Sequence, residues 1–330
     1  MRSPKSRATP RGGPETGGGN RGEFVAIERL RRRLPGPPAG QVWIGDDAAV
    51  LGTTEGRVVL TTDVAVAGVH ADLGLIGLDD LGWRAFAAAV SDVAAMGARP
   101  LGAVVAVAGP PSTDLDLLYD GIAASSEAHD CPVVGGDLST SSELAVAVAV
   151  TGEVEGEPGP VLRSGARPGD PIFVTGPLGG ASAGLRGLRD RGGAGRAASP
   201  EAVALETAHR RPRARLVEGE TARRSGASAM IDVSDGLLAD LGHVADASGV
   251  GFRLDQVPVA AGATIDDALG GGEDYELVVV VGAGPERLAA AFAAAGLRPP
   301  ILIGSCRADP AERTLDGKPT VALGWQHSWG

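Results

Sequence analysis

The chain has 330 residues, 43% of them hydrophobic, and a formal net charge of −11. That length accommodates two ordinary domains, and that charge disfavours nucleic acid and anionic membrane, both of which attract basic surfaces. Phosphate ligands stay in play, because a metal ion can bridge like charges. Cys131 and Cys306 are the only cysteines and Lys5 and Lys318 the only lysines. With no CxxC or zinc spacing, the reading is a reduced, cytoplasmic protein. No run of about 18 apolar residues marks a membrane span, and no apolar leader core stands near the start. A G-x-x-x-x-G-K-S/T loop is also missing. A phosphate site here must rest on arginine, backbone amides and metal.

Residues 1–21 are rich in Gly, Pro and Arg and read as a disordered tail. Apolar periodicity begins in "EFVAIERLRRRL", a short helix. The strands "RVVLTTDVAV" and "LGAVVAVAG" follow, with a helix over 79–96 between them. Leu81, Ala85, Ala88 and Asp92 lie near one face of that helix. A second helix over 114–129 leads to "CPVVGGD", and "ELAVAVAVTGEV" reads as a long buried strand. "EGEPGP" at 155–160 marks a boundary, giving domains at 22–154 and 155–330. Beyond it "DPIFVTG" is a strand and "LGGASAGLRGL" enters a helix. Residues 187–200 read as a loose loop, 201–225 and 235–248 as helical, "YELVVVV" as a buried strand and 285–296 as a helix. Both halves mix helix and strand, so the fold class is α/β.

Acids recur at strand ends and helix edges beside Gly, Ser or Thr. They are Asp46 and Asp47 in "IGDDAAV", Asp63 in "TTDVAVAGVH", Asp92 in "AVSDVAAMG", Asp137 in "VVGGDLS", and Asp232 and Asp235 in "IDVSDGL". Hard cations such as Mg²⁺ take oxygen ligands and keep phosphates and water in the shell. Each acid alone has an ordinary alternative: Asp235 as the cap of the 235–248 helix, Asp46 as a turn residue. Their repetition near apolar strands is harder to set aside, since buried unpaired carboxylates are costly. "GGD" at 135–137 suits a backbone that approaches phosphate, or a plain turn. "GPLGGASAG" at 176–184 opens a helix whose N-terminus suits an anion, or simply close helix–strand packing. Arg163 is a candidate phosphate contact or a surface arginine. His70 and Glu273 are candidate cleft residues or ordinary polar ones, and Trp325 either packs or offers a flat wall to an aromatic ligand. No Ser–His–Asp or Cys–His order suggests a protein nucleophile.

The ordered set "IGDDAAVL", "TTDVAVAGVH", "AVSDVAAMGARP", "GGDLSTS", "RSGARPGDPIFVTGPLGGASAGL", "RRPRARL", "AMIDVSDGLLADLGHVADASGVG" and "GGEDYEL" resembles the thiamine-monophosphate kinase family across residues 22–330. This family falls within the aminoimidazole ribonucleotide synthetase-like superfamily. The resemblance implies an N-terminal α/β domain whose sheet joins that of a second subunit in a homodimeric barrel, and a C-terminal α/β domain covering the cleft. It implies ATP and thiamine monophosphate as substrates, thiamine diphosphate and ADP as products, and Mg²⁺ as the metal. Carried over by motif, Asp47, Thr61, Thr62, Asp63, Asp92, Asp137, Asp232 and Asp235 would hold metal. Of these Asp63, Asp92, Asp137 and Asp235 would be the catalytic acids. Gly135, Gly136, Arg163, Ser234 and Tyr119 would contact the nucleotide, and His70, Glu273 and Trp325 the acceptor. The alternatives are another ATP-using enzyme of the superfamily, such as selenophosphate synthetase or the hydrogenase-maturation dehydratase, and a non-catalytic nucleotide or metal binder. The reactive cysteines characteristic of those two enzymes have no counterpart here.

Overall fold

A computed structural model describes residues 37–52, 56–192, 199–282, 284–320 and 323–325. The expected tail at 1–21, the "EFVAIERLRRRL" helix and the chain from 326 onward lie outside the described residues.

The first half builds one five-stranded sheet. Its strands are β1 (Ala49–Gly52), β2 (Arg57–Val66), β3 (Arg99–Gly109), β4 (Val133–Thr140) and β5 (Ala145–Val154), in the order β1-β2-β5-β3-β4. All neighbours run antiparallel except β3 and β4. That parallel pair needs a crossover, which helix α2 (Leu115–Ala128) supplies. Strand β5 was expected to be buried, and one of its faces is: Val146, Val148 and Val150 are inaccessible, while the alternating alanines between them are only half-covered. The period of two therefore separates a core face from an open face.

Helix α1 (Leu78–Ala95) covers the core face, within a residue of the expected 79–96. Its small side chains let it be buried on almost every side, from Leu81 to Ala95. Close packing against α2 depends on glycine. A Cβ on Gly82 would lie 2.2 Å from the Leu118 carbonyl, and one on Gly121 1.8 Å from that of Asp79.

The second half builds a seven-stranded sheet from β6 (Pro171–Val174), β7 (Ala227–Asp232), β8 (Gly251–Leu254), β9 (Leu277–Val281), β10 (Ile301–Arg307), β11 (Arg313–Leu315) and β12 (Lys318–Pro319). Their order is β12-β11-β8-β10-β6-β9-β7. Helices α3 (Gly180–Asp190), α4 (Pro200–Arg210), α5 (Leu216–Arg224), α6 (Leu237–Ser248), α7 (Ile265–Gly270) and α8 (Pro285–Ala294) complete the half. Strand β9 is buried on both faces: Val278 and Val280 join the core beneath α6, Leu277, Val279 and Val281 the core beneath α8. Ala94 and Ala95 at the end of α1 belong to that last core. The same helix thus lines the first sheet and reaches β7 of the second.

Three local readings change. The "GGD" residues are not a turn but part of strand β4; Gly136 is required there because a Cβ would sit 1.9 Å from the Val105 carbonyl. The expected loop from 187 begins later, since α3 continues to Asp190. Asp235 does not cap the 235–248 helix. Gly236 holds the cap position, and the Asp240 carboxylate accepts from the N–H groups of Ser234, Asp235 and Gly236.

Candidate active site

Three of the sequence-predicted acids converge. Asp47, in the bend before β1, Asp92, on α1, and Asp232, the last residue of β7, each present an oxygen within 4.8 Å of the others. They arrive from three elements because α1 runs between the two sheets. Hydroxyls orient two of them: Thr61 on β2 donates to Asp92, and Ser91 donates to Asp232 at 2.5 Å.

The electrostatics follow from crowding. Desolvation and the neighbouring charges of Asp63, Asp232 and Asp47 push Asp92 well above the usual carboxylate range. Burial and then Asp47 raise Asp232 to about 7. Like charges held together away from water disfavour their own ionisation. Arg163 relieves part of this: its Nε and Nη2 donate to the two Asp47 oxygens at 3.2 and 2.6 Å. Asp46 plays a supporting part. Its carboxylate accepts from the Arg163 backbone N–H at 3.1 Å and from the Asp47 N–H at 3.0 Å, and burial raises it to about 6.

The donor set fits a hard divalent cation. It comprises three carboxylate oxygens with hydroxyls at their edge, and no thiol or imidazole within the group. Asp63 borders the cluster, acting through its charge on Asp92 and Asp232.

Other predicted residues stand apart. Thr62 is exposed on the face of β2 opposite Thr61 and Asp63, as strand alternation dictates. Asp137 sits on β4 at the far edge of the sheet, exposed and accepting from the Ser139 hydroxyl at 3.1 Å. The pairing register places it in line with Ala106, Ala147 and Val64, on the open face and away from the three acids. Gly135 falls on that face too, in line with Val104 and Ala149. Asp235 lies past the end of β7, where its carbonyl accepts from the Trp325 N–H at 3.1 Å. Ser234 joins the same turn, its carbonyl accepting from Glu273 N–H at 2.8 Å. Tyr119 is on α2, packed against the first core.

The "GGGEDYEL" segment resolves residue by residue. Glu273 and Tyr275 have φ of +68° and +49°, a left-handed backbone costing roughly 1–2 kcal/mol for a non-glycine residue. Each flanking side chain has its own anchor. Glu273 pairs with Arg84. The Asp274 carboxylate accepts from Gly179 N–H at 2.5 Å and Ala181 N–H at 3.1 Å. Glu276 accepts from Thr175 and Arg215. The α3 N-terminus, offered by the sequence as an anion site, is therefore filled by the chain's own carboxylate.

Sequence reasoning missed Arg84, His209, Ser91, Asp240 and Asp274. A signal existed for Arg84, a lone cation followed by "AFAAAV" in a helix too apolar to expose any face.

The family models for AIR synthase related protein match this chain over residues 45–154, for the N-terminal domain, and 167–315, for the C-terminal domain. The two-sheet α/β architecture is thus that of AIR synthase-related proteins. A thiamine-monophosphate kinase of Mycobacterium tuberculosis is 36% identical over 327 residues, covering 92% of this chain and 91% of the relative. One from Salmonella typhimurium is 38% identical over 275 residues, covering 79% and 82%. The solved structure of AaThiL complexed with AMPPCP and TMP superimposes with a TM-score of 0.82 at 32% identity, covering 93% of this chain and 97% of that one. The chain belongs to the thiamine-monophosphate kinase family, and it is an enzyme of the kinase class.

Proposed function

We propose that this protein transfers the γ-phosphoryl group of ATP to the phosphate of thiamine monophosphate, giving thiamine diphosphate and ADP. The observation that carries the reading is the convergence of Asp47, Asp92 and Asp232 beside Arg163. Family membership and the ATP-analogue complex of AaThiL support it.

The acceptor is a phosphate oxygen that is already ionised near neutral pH, so no strong protein base is required. The obstacle is repulsion between two polyanions. We assign Mg²⁺ to the three acids, with Asp63 and Thr61 at the rim; when bound it neutralises phosphate charge and helps align the transferred group. The chain itself supplies a fixed frame. Thr61 and Ser91 hold Asp92 and Asp232, and Asp46 holds the backbone of Arg163. We place the nucleotide against Arg163 and Ser234, with Gly135 and Asp137 on the open sheet face and Gly136 between them on the core face, in line with Val105, Val148 and Asp63, and the acceptor against His70, Glu273 and Trp325.

We further propose a homodimer through the open face of the first sheet. Leu60, Val64 and Val104 stand there at 42%, 48% and 46% exposure, an apolar strip that a monomer would leave in water. Thr62 and Asp137 share this face, so any role of theirs is exercised at the junction between copies. No helix among the described residues is long and apolar enough to cross a membrane. Both cysteines are free and buried, their thiols pushed up to about 11 and 12, in keeping with the cytoplasm.

The test is ADP release coupled to the appearance of thiamine diphosphate, with thiamine monophosphate, thiamine or no acceptor. The proposal predicts turnover with the monophosphate alone. Nucleotide binding without turnover would instead make the protein a non-catalytic binder.

A further inference from the structure

Arg84 lies in the middle of α1 with its side chain 6% exposed. A guanidinium so deeply placed must spend its donors on protein groups. Four of its five N–H bonds have partners in different parts of the chain. Nη2 donates to the Glu273 carboxylate and to the His70 carbonyl, the latter at 3.1 Å. Nη1 faces the His209 carbonyl and Nδ1, the ring nitrogen at 3.2 Å.

These partners are chemically consistent. Burial and the charge of Arg84 lower His209 to about 3. Its ring stays neutral, and Nδ1 accepts from Arg84 rather than donating to Glu273, 3.7 Å away. His70 is fixed at both ends: its Nδ1 accepts from Val66 N–H at 3.0 Å and its carbonyl from Arg84. Glu273 is tied through Oε1, yet its side chain remains 30% exposed. A carboxylate clamped on one side and open on the other can meet a ligand without first being ordered.

We infer that Arg84 is a positioning residue for the acceptor: one guanidinium sets the Glu273 carboxylate and the His70 backbone in a single geometry, joining the two halves of the acceptor site. The inference rests on the reading of His70 and Glu273 as acceptor contacts. Lysine would not reproduce this arrangement, because one ammonium nitrogen cannot stand where both Nη1, facing His209, and Nη2, facing His70 and Glu273, do.

Steady-state kinetics on Glu273→Gln, Arg84→Lys and the double variant test this, with each substrate varied in turn. Arg84→Met would strand Glu273 beside His209 and risks misfolding, so the lysine variant, which keeps the charge, is the informative one. Arg84→Lys is expected to raise KM for thiamine monophosphate about tenfold and to leave KM for ATP within about twofold. Added to Glu273→Gln it should cost less than it does alone, the remainder being its hold on the His70 backbone. An unchanged acceptor KM in Arg84→Lys, or equal changes for both substrates, while Glu273→Gln raises the acceptor KM, would overturn the positioning role and leave the acceptor site standing. An unchanged acceptor KM in Glu273→Gln would instead remove the acceptor reading, and the inference with it.

Discussion

Asp92 and Asp232 come from opposite halves of the chain, 140 positions apart by their numbers, and their carboxylate oxygens lie within 4.8 Å of each other and of Asp47. Three acids placed so closely work against the stability of the protein unless a cation or protons neutralise them. Arg163 compensates one of the three. Asp92 and Asp232 stay raised beside it, so protons or a further cation must balance the remaining charge.

The first prediction separates stability from activity. Asp92→Asn removes one of the crowded charges and keeps the size of the side chain. Its metal-free melting temperature is expected at or above that of the wild type, with turnover lowered by about a hundredfold or more. Calorimetry paired with the coupled ADP assay reads both. A variant that is fully active, or one that melts well below the wild type, would place Asp92 outside the proposed cage.

The open face of the first sheet yields the second. Val64→Asp puts a charge opposite Ala147, on the same face as Leu60, Val104 and Ala106, without touching the core face of β2. In a dimer built on this face the charge is buried without a partner, a penalty of several kcal/mol. Analytical ultracentrifugation should show dissociation to monomers. A dimer of unchanged affinity would move the interface elsewhere.

The third concerns acid. His209 is 3% exposed and its folded value is near 3, against 6.5 in the unfolded chain. Above pH 6.5 the ring is neutral in both states and costs nothing. As pH falls below 6.5, the unfolded state takes up a proton that the folded state refuses, so stability declines by about 1.4 kcal/mol per pH unit from this group. His209→Asn keeps a neutral acceptor, so its unfolding free energy should fall less steeply between pH 6.5 and 4.5. Urea melts at those two values check the sign; an identical slope in both proteins would contradict it.

How much of this was legible in the sequence depends on range. Strongly periodic segments such as the α1 helix and the valine strands lie where hydrophobic spacing places them, because burial of one face dictates both. Strands β8, β10, β11 and β12 escaped notice. β8, β11 and β12 are short, and β10 is broken by a register shift between Leu302 and Gly304, which leaves no clean alternation to read. The acids were legible as a set, from repetition, but not their grouping. Thr62 and Asp137 look like partners of Asp63 in the sequence, yet strand alternation and sheet register turn them to the other face. Arg84, His209 and Asp274 were invisible as a group, since each acts through a partner roughly one hundred or more positions away by number.

The most direct test of the central claim is product formation from ATP and thiamine monophosphate as free Mg²⁺ is varied, in wild type and in Asp232→Asn. Turnover should vanish on chelation and return with Mg²⁺ in the wild type, while Asp232→Asn stays about a hundredfold or more below it at every concentration. Turnover that survives chelation, or an Asp232→Asn protein that matches the wild type across the titration, would contradict the account.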